Sequence, residues 1–323
     1  MYPLLFAPVY KDYIWGGSRI ARCYGRKDVP AVCAESWEVS DRPEGMSIVG
    51  NGALAGSSIH ELLEKYGEDL LGRGRTADVF PLLIKIIDAE KRLSVQVHPD
   101  DETAARYGGD AKTEMWYILD AAPGARIFTG VKAGTTPEAF KNALEDERLE
   151  DVLNSLPVQA GDAVFTPGGR LHAIGEGCLL LEIQQNSNTT YRVYDWGRVG
   201  QDGKPRPLHV DRALQVINWR DDRSLTMKHE DPVFHKGNSF RQVLACPYFI
   251  VEQIELAAPE TLCNDGTSFH ALFTESGTVQ IDGAGASELL GQGTSCLLPA
   301  SLEQYTIAPV NENAALIRTS LPG

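Results

Sequence analysis

The sequence has few cysteines, no long apolar runs and a deficit of basic charge. Six cysteines are scattered over 323 residues without a Cys-x-x-Cys pair. This spacing argues against a disulfide framework and predicts reduced, mostly buried thiols in a cytoplasmic protein. Lys and Arg number 30 against 44 Asp and Glu, a net charge of −14. Such an acidic chain is not expected to bind nucleic acid or an anionic membrane in general.

The sequence shows no pattern typical of a targeting segment or of a membrane-spanning segment. The first residues lack the basic region and apolar core of a signal peptide. The longest apolar run, residues 79–87, contains Pro81 and Lys85 and is too short to cross a bilayer. Hydrophobic residues make up 43% and charged residues 23% of the chain. These values are typical of a soluble globular protein, and the length allows two domains with hydrophobic cores.

Short strand-like segments separated by Gly and Pro are abundant. They are predicted at residues 34–40, 82–87, 93–98, 114–119, 125–129, 163–166, 178–185, 248–256, 270–274, 277–281 and 295–298. This density predicts a mainly β fold with two antiparallel β-sandwich (jelly-roll) units and a few helices in the first.

Four side chains form a candidate metal site with mixed nitrogen and oxygen ligands. Gln96 and His98 are two residues apart, so both side chains point to the same face of a predicted strand. Glu114 and His172 complete the set, which best suits a divalent transition metal such as zinc. For Gln96 an alternative stays open, in which it orients His98 without contacting the metal. A site without thiolates leaves room for water or substrate and indicates catalysis.

The segment that carries His172 fits the cupin pattern G-x5-P-x-G-x2-H. Gly161 permits a tight turn, residues 163–166 supply a short strand, and Pro167 with its following glycines ends it. His172 then begins another strand and is predicted to face inward. We therefore expect the two β-sandwich units to be cupin-like.

Helical patterns and a candidate linker suggest how the domains are divided. Ser58 and Glu61 match a capping box, and Pro137 follows Thr136 at a second helix start. The polar stretch 220–231 has no periodicity and is predicted to be a linker. We expect residues 1–225 to form the metal-binding catalytic domain with helical insertions. Residues 226–323 are expected to form a smaller cupin-like β domain without metal.

Four segments together resemble the short bacterial form of type I mannose-6-phosphate isomerase. They are residues 82–85, 93–100, 112–115 and 161–172, and matching motifs extend from about Trp15 to Arg192. The resemblance places the zinc ligands on Gln96, His98, Glu114 and His172. It implies a substrate pocket lined by Lys85, Ser94, Lys112 and Arg192, with Trp15 and Glu35 close by. The family often has Asp where this chain has Asn188, which puts the role of that neighbourhood in doubt.

Aldose–ketose isomerisation of a sugar phosphate moves a proton between the first two carbons and needs a general base. Glu182 alternates with apolar neighbours and is predicted to face the cavity with His172. A zinc-bound hydroxide and Lys112 as a neutral base stay open as alternatives. Arg192 is predicted to donate to enediolate oxygens, with phosphate binding as its alternative role.

Two other functions compete with a mannose-6-phosphate isomerase. Another cupin enzyme, such as an iron oxygenase or a glucose 6-phosphate isomerase, would favour a His-x-His pair where this chain has Gln96-x-His98. A non-catalytic sugar-phosphate-binding cupin would lose ligands or cations that are present here. We predict an enzyme with one zinc ion per chain that interconverts mannose 6-phosphate and fructose 6-phosphate. Another phosphorylated aldose as substrate, and a monomer or a homodimer, stay open.

Overall fold

The structure, a computed structural model, describes residues 1–200, 203–225 and 230–323. Its strands are β1 (Val9–Lys11), β2 (Glu35–Val39), β3 (Leu82–Ala89), β4 (Val95–Val97), β5 (Glu114–Ala121), β6 (Arg126–Val131), β7 (Leu153–Pro157), β8 (Ala163–Thr166), β9 (His172–Ile174), β10 (Cys178–Gln185), β11 (Tyr191–Tyr194), β12 (Val233–His235), β13 (Asn238–Ala245), β14 (Ile250–Leu256), β15 (Glu260–Cys263), β16 (His270–Ser276), β17 (Thr278–Gly283), β18 (Ala286–Gly291), β19 (Ser295–Leu298), β20 (Gln304–Pro309) and β21 (Ala314–Ser320).

The helices are short and few. They are α1 (Arg19–Tyr24), α2 (Ile59–Tyr66), α3 (Glu68–Leu71), α4 (Asp101–Tyr107), α5 (Pro137–Glu145) and α6 (Val210–Val216), with 3-10 turns at Gly52–Leu54 and Leu149–Val152. The predicted mainly β fold with a few helices is confirmed. The predicted linker at 220–231 lies partly outside the described residues. Among the described residues, no helix has the length and apolar character needed to span a bilayer.

The two predicted helix starts are confirmed by their caps. Ser58 Oγ accepts a hydrogen bond from the Glu61 backbone N–H, and the Glu61 carboxylate accepts one from Ser58 in return. Thr136 Oγ likewise accepts the backbone N–H of Ala139. Each cap satisfies backbone N–H groups that have no partner within the helix. Asp100 is the N-cap of α4, and its side chain accepts the Thr103 backbone N–H.

The strands form four sheets. Their strand orders are β1-β2-β3-β10-β5-β8, β11-β4-β9-β6-β7, β12-β13-β14-β21-β16-β19 and β15-β20-β17-β18. In the first pair of sheets, Ile118 and Leu180 from one sheet share a core with Ile127 and Ile174 from the other. These side chains alternate with residues on the opposite strand faces, so the two sheets pack as a sandwich. A second core joins the last two sheets in the same way, through residues such as Leu316 and Ile307.

The chain forms two compact units that are not consecutive in sequence. One contains Met1–Val9, Trp37–Leu83 and the described residues from 230 to 323; the other contains Tyr10–Ser36 and the described residues between 84 and 225. Two N-terminal segments therefore belong to the same compact unit as the C-terminal strands. The sequence patterns did not predict this. The functional division of the chain at residue 225 stays a prediction.

Candidate active site

The candidate metal ligands lie on strands β4, β5 and β9 or directly after one of them. Val95 and Val97 are buried in the core, so Gln96 between them points to the other face of β4. Gln96 is directly opposite His172 in the β4–β9 pair. Glu114 is the first residue of β5. Antiparallel pairing thus brings together side chains that are up to 76 positions apart in sequence.

Two glycines of the cupin-like pattern explain why this turn fits beside His98. Gly169 has φ +84°, a left-handed backbone conformation that other residues rarely adopt, and its N–H donates to the His98 carbonyl at 2.8 Å. A Cβ on Gly168 would lie 2.7 Å from the Cα of Asp100. Glycine is therefore required at both positions for the turn to pack against the segment that carries His98.

His98, Glu114 and His172 converge on one point. Glu114 Oε1 lies 3.1 Å from His172 Nε2 and 3.7 Å from His98 Nε2, and all three side chains are buried. Tetrahedral zinc with bonds of about 2.0–2.1 Å needs ligand atoms roughly 3.3 Å apart. The two separations from Glu114 Oε1, 3.1 and 3.7 Å, lie on either side of this value, so these three residues fit a zinc ion.

Backbone carbonyls orient both imidazoles. His98 Nδ1 lies 2.7 Å from the Thr189 carbonyl oxygen, and His172 Nδ1 lies 2.8 Å from that of Arg170. A carbonyl accepts only, so each Nδ1 carries the proton and each Nε2 presents its lone pair to Glu114. Burial and the Lys112 ammonium lower the pKa of His98 to about 3. A neutral imidazole is the form that binds a metal.

Glu114 has the electrostatic character of a metal ligand. Neither carboxylate oxygen accepts a hydrogen bond of adequate geometry from the described residues, although both are buried. Lys112 Nζ lies 3.1 Å from Oε2 and 3.2 Å from His98 Nε2. Burial opposes ionisation, but Lys112 and the two histidines outweigh it and hold the pKa of Glu114 well below its usual range. Lys112 compensates the charge on the side of Oε2, and a bound metal would compensate it on the side of Oε1, which faces the two histidines.

Gln96 lies beside the three residues, but the geometry leaves its role open. Its Nε2 is 3.5 Å from His172 Nε2, and its Oε1 accepts a hydrogen bond from Ser94 Oγ at 3.3 Å. Rotating the amide by 180° would exchange oxygen and nitrogen, which have nearly the same shape. Direct ligation by Gln96 stays a prediction.

A cavity next to the three residues contains the predicted substrate-binding and catalytic side chains. It is lined by Tyr13, Trp15, Glu35, Lys85, Ile87, Leu93, Ser94, Gln96, Lys112, Ile174, Glu182, Asn188, Thr190, Arg192 and Arg206. The predicted residues Trp15, Glu35, Lys85, Ser94 and Lys112 are all buried within it. The cavity thus brings together all the predicted substrate-binding and catalytic side chains.

A buried ammonium between two carboxylates forms one wall of this cavity. Lys85 Nζ lies 3.1 Å from Glu182 Oε2 and 3.6 Å from Glu35 Oε2. Burial opposes its charge, but the two carboxylates raise the pKa of Lys85. Adjacent strands explain the contact, because β3 carries Lys85 and β10 carries Glu182. Lys85 is therefore in a buried salt bridge with two carboxylate partners.

Glu182 is held by contacts on both oxygens. Trp116 Nε1 donates to Oε1 at 3.0 Å, and Lys85 faces Oε2. Burial raises the pKa of Glu182, and the nearby carboxylate of Glu114 acts in the same direction against the Lys85 ammonium. A carboxylate with a raised pKa is a better proton acceptor than an exposed one.

Arg192 connects the outer part of the cavity to the candidate ligands. Its Nε donates to Ser94 Oγ at 3.2 Å, and Ser94 in turn contacts Gln96. The guanidinium also donates to the Pro207 carbonyl oxygen at 2.9 Å. Arg192 pairs with Gln96 across β11 and β4, which fixes its position relative to the metal site.

Comparison with known proteins decides the family. Residues 4–123 match the model "Phosphomannose isomerase type I, catalytic domain". The probable mannose-6-phosphate isomerase GmuF of Bacillus subtilis (strain 168) is 35% identical over 309 residues, which cover 95% of this chain and 96% of GmuF. The chain belongs to the type I phosphomannose isomerase family. It is accordingly an isomerase enzyme, and the resemblance found in the sequence is confirmed.

Further relatives of this family agree over most of the chain. Mannose-6-phosphate isomerase ManA of Bacillus subtilis (strain 168) is 38% identical over 262 residues, 80% of this chain and 81% of ManA. The crystal structure of the mannose 6-phosphate isomerase from Bacillus subtilis superposes with a TM-score of 0.91 at 31% identity, covering 99% of both chains. Both units therefore have counterparts in a solved structure.

Sequence reasoning missed several residues that line the cavity of this isomerase, among them the polar side chains of Tyr13, Thr190 and Arg206. Arg206 lies in an irregular segment without periodicity, so no pattern linked it to the cavity. Asn188 was noted only as a departure from the family, and it lines the cavity as well. His209 accepts the Arg192 backbone N–H through Nδ1 at 3.2 Å.

Proposed function

We propose that this enzyme interconverts mannose 6-phosphate and fructose 6-phosphate, using one zinc ion held by His98, Glu114, His172 and Gln96. The observation that carries the proposal is the buried cluster of two Nε2 atoms and one carboxylate beside a cavity with a base and several cations. Family membership supports the choice of substrate.

The donor set favours zinc over other cations. Imidazole nitrogen with one carboxylate suits zinc, whereas magnesium and calcium prefer oxygen ligands throughout. When bound, zinc would polarise the sugar oxygens and so favour removal of a proton from the adjacent carbon.

Glu182 is proposed as the general base that transfers the proton between the first and second carbons through an enediolate. It is buried, its pKa is raised by burial, and its two oxygens are held by Trp116 and Lys85. Fixed contacts reduce the reorganisation needed during the transfer, which lowers the barrier. Lys85 is proposed to position Glu182, because its charge is already shared between two carboxylates.

Lys112 and Arg192 are proposed to donate hydrogen bonds to substrate oxygens. Lys112 is ion-paired with Glu114 beside the metal ligands, which favours a donor role over the role of neutral base. Arg192 presents a planar fork whose Nε is fixed by Ser94. Trp15 and Glu35 are proposed to contact the sugar from the same wall as Lys85.

The experiment that tests this function is a coupled assay with mannose 6-phosphate on zinc-loaded protein, after chelation and after zinc is restored. We expect activity to disappear with the chelator and to return with zinc. His98→Ala is expected to lose both bound zinc and activity. His60→Ala is the matched control, since His60 pairs with Asp41 outside this cavity.

No turnover of mannose 6-phosphate by zinc-loaded protein would contradict the proposal. Activity that persists after removal of all metal would contradict the role of zinc alone. Turnover of a different phosphorylated aldose at a higher rate would retain the reaction type and change the substrate.

A further inference from the structure

We infer that Arg206 binds the phosphate group of the substrate at the outer end of the cavity, with Asp195 as the residue that positions it. The inference rests on the proposed function, since it concerns the part of a sugar phosphate that does not react. It gives a role to a cation that no sequence pattern had connected with the site.

The inner cations are already compensated by carboxylates. Lys85 faces Glu35 and Glu182, and Lys112 faces Glu114. Three carboxylates therefore surround two ammonium groups. A phosphate dianion placed beside Lys85 would also lie beside two buried carboxylates, and in a buried site that repulsion is strong.

At the outer end of the cavity, positive side chains outnumber carboxylates among the described residues. Three guanidinium groups, those of Arg192, Arg198 and Arg206, lie near the carboxylate of Asp195. Within the described part of the chain, Arg192 forms no ion pair, and its guanidinium contacts a hydroxyl and a carbonyl oxygen. Counted over these described side chains alone, the excess is two positive charges, which matches a phosphate monoester carrying about −1.5 to −2 at pH 7.

Arg206 is the member of this group that is oriented for a ligand. Its Nε and one Nη donate to the two oxygens of Asp195 at 2.8 and 2.6 Å. This bidentate pair fixes the plane of the guanidinium and uses two of its five N–H donors. Arg206 lines the cavity, whereas Arg198 also contacts Asp195 but is not among the lining residues.

The position of Arg206 also agrees with the length of the substrate. The Lys112 and Glu182 side chains are 6% and 4% exposed, whereas the Arg206 side chain is 23% exposed. Arg206 therefore lies toward solvent and the metal ligands toward the interior. The phosphate of a hexose 6-phosphate is four carbons from the reacting pair, so it must lie away from the metal when the first two carbons are beside it.

The test compares zinc-loaded wild-type protein with Arg206→Ala, Arg206→Lys and Arg212→Ala. Arg212→Ala removes the same charge from an exposed position on α6 whose guanidinium contacts the Tyr107 carbonyl. We measure KM and kcat for mannose 6-phosphate, the inhibition constant of inorganic phosphate, and zinc content. Phosphate binding is measured separately by calorimetry.

Loss of charge-assisted hydrogen bonds in Arg206→Ala is expected to raise KM and the phosphate inhibition constant together, by about 10- to 100-fold. We expect kcat to change by less than about threefold. Arg206→Lys should recover part of the loss, because it keeps the charge without the fork. Arg212→Ala should match wild type. Unchanged zinc content shows that the site itself is intact.

An Arg206→Ala protein with unchanged KM and unchanged phosphate inhibition would overturn the inference, and so would a loss confined to kcat. If the wild-type protein does not turn over mannose 6-phosphate, the proposed function fails while the phosphate site is still tested. Calorimetric binding of inorganic phosphate that is weakened in Arg206→Ala, but not in Arg212→Ala, would then support the site. Equal binding in all variants would overturn it.

Discussion

Lys85→Met replaces the ammonium between Glu35 and Glu182 with an apolar side chain of similar length. The Lys85 side chain is 4% exposed, and the side chains of its partners are 11% and 4% exposed. The substitution therefore leaves two carboxylates without their cation in a site that water barely reaches. Removing one partner of a buried ion pair typically costs about 3–5 kcal/mol, and we expect a loss of this size at pH 8.

The loss depends on pH in a defined direction. Burial already raises the pKa of Glu182 in the folded protein, and removing Lys85 raises it further. A carboxyl whose folded pKa exceeds its unfolded pKa destabilises the fold above the folded pKa, and this effect disappears below the unfolded pKa. Because each pKa unit corresponds to about 1.4 kcal/mol, the penalty should be clearly smaller at pH 5 than at pH 8.

The assay is equilibrium unfolding by urea, followed by tryptophan fluorescence at both pH values in the presence of zinc. Four of the five tryptophans lie in the compact unit that contains Lys85, so the signal reports mainly on that unit. Lys141→Met on the exposed face of α5 is the matched control and should change the free energy of unfolding by less than about 0.5 kcal/mol. Adding Glu35→Gln to Lys85→Met should recover part of the stability.

A penalty below about 1 kcal/mol at pH 8 would refute this reasoning, because it would mean that the carboxylates are solvated or have another cation. An equal penalty at pH 5 and pH 8 would refute the assigned electrostatic cause and leave only lost packing.

Three further predictions concern the site and one helix. Glu182→Gln should lower kcat by at least about 100-fold with zinc content unchanged. In the wild-type protein, kcat/KM should fall as the pH is lowered, with an apparent pKa above the ordinary 4.5 of a glutamate. Gln96→Ala should weaken zinc binding by about 10- to 100-fold in a chelator competition, both if Gln96 binds zinc and if it only orients a ligand. Gln96→Glu should restore zinc binding only if residue 96 binds zinc directly. Ser58→Ala should reduce the free energy of unfolding by about 1 kcal/mol in a urea titration, because it removes the α2 cap.

Local patterns predicted the parts of the protein that depend on neighbours in sequence. The strands 163–166, 178–185 and 295–298 have the predicted bounds, since alternation and flanking turn residues act within a few positions. Both predicted helix caps form for the same reason. Helices α1, α4 and α6 were not predicted, because segments of six or seven residues carry too little periodicity to distinguish them from turns.

Residue types and spacing alone were enough to predict a metal site that includes His98, Glu114 and His172, which the structure brings together. The spacing of Gln96 and His98 and the glycine turn before His172 act through backbone geometry, which is local. The position of Lys85 between Glu35 and Glu182, and that of Arg206 at the cavity, could be seen only in the folded chain. These contacts depend on strand order, because β3 and β10 are neighbours in a sheet although about ninety residues separate them. Strand order results from the packing of whole sheets, and no short stretch of sequence contains it.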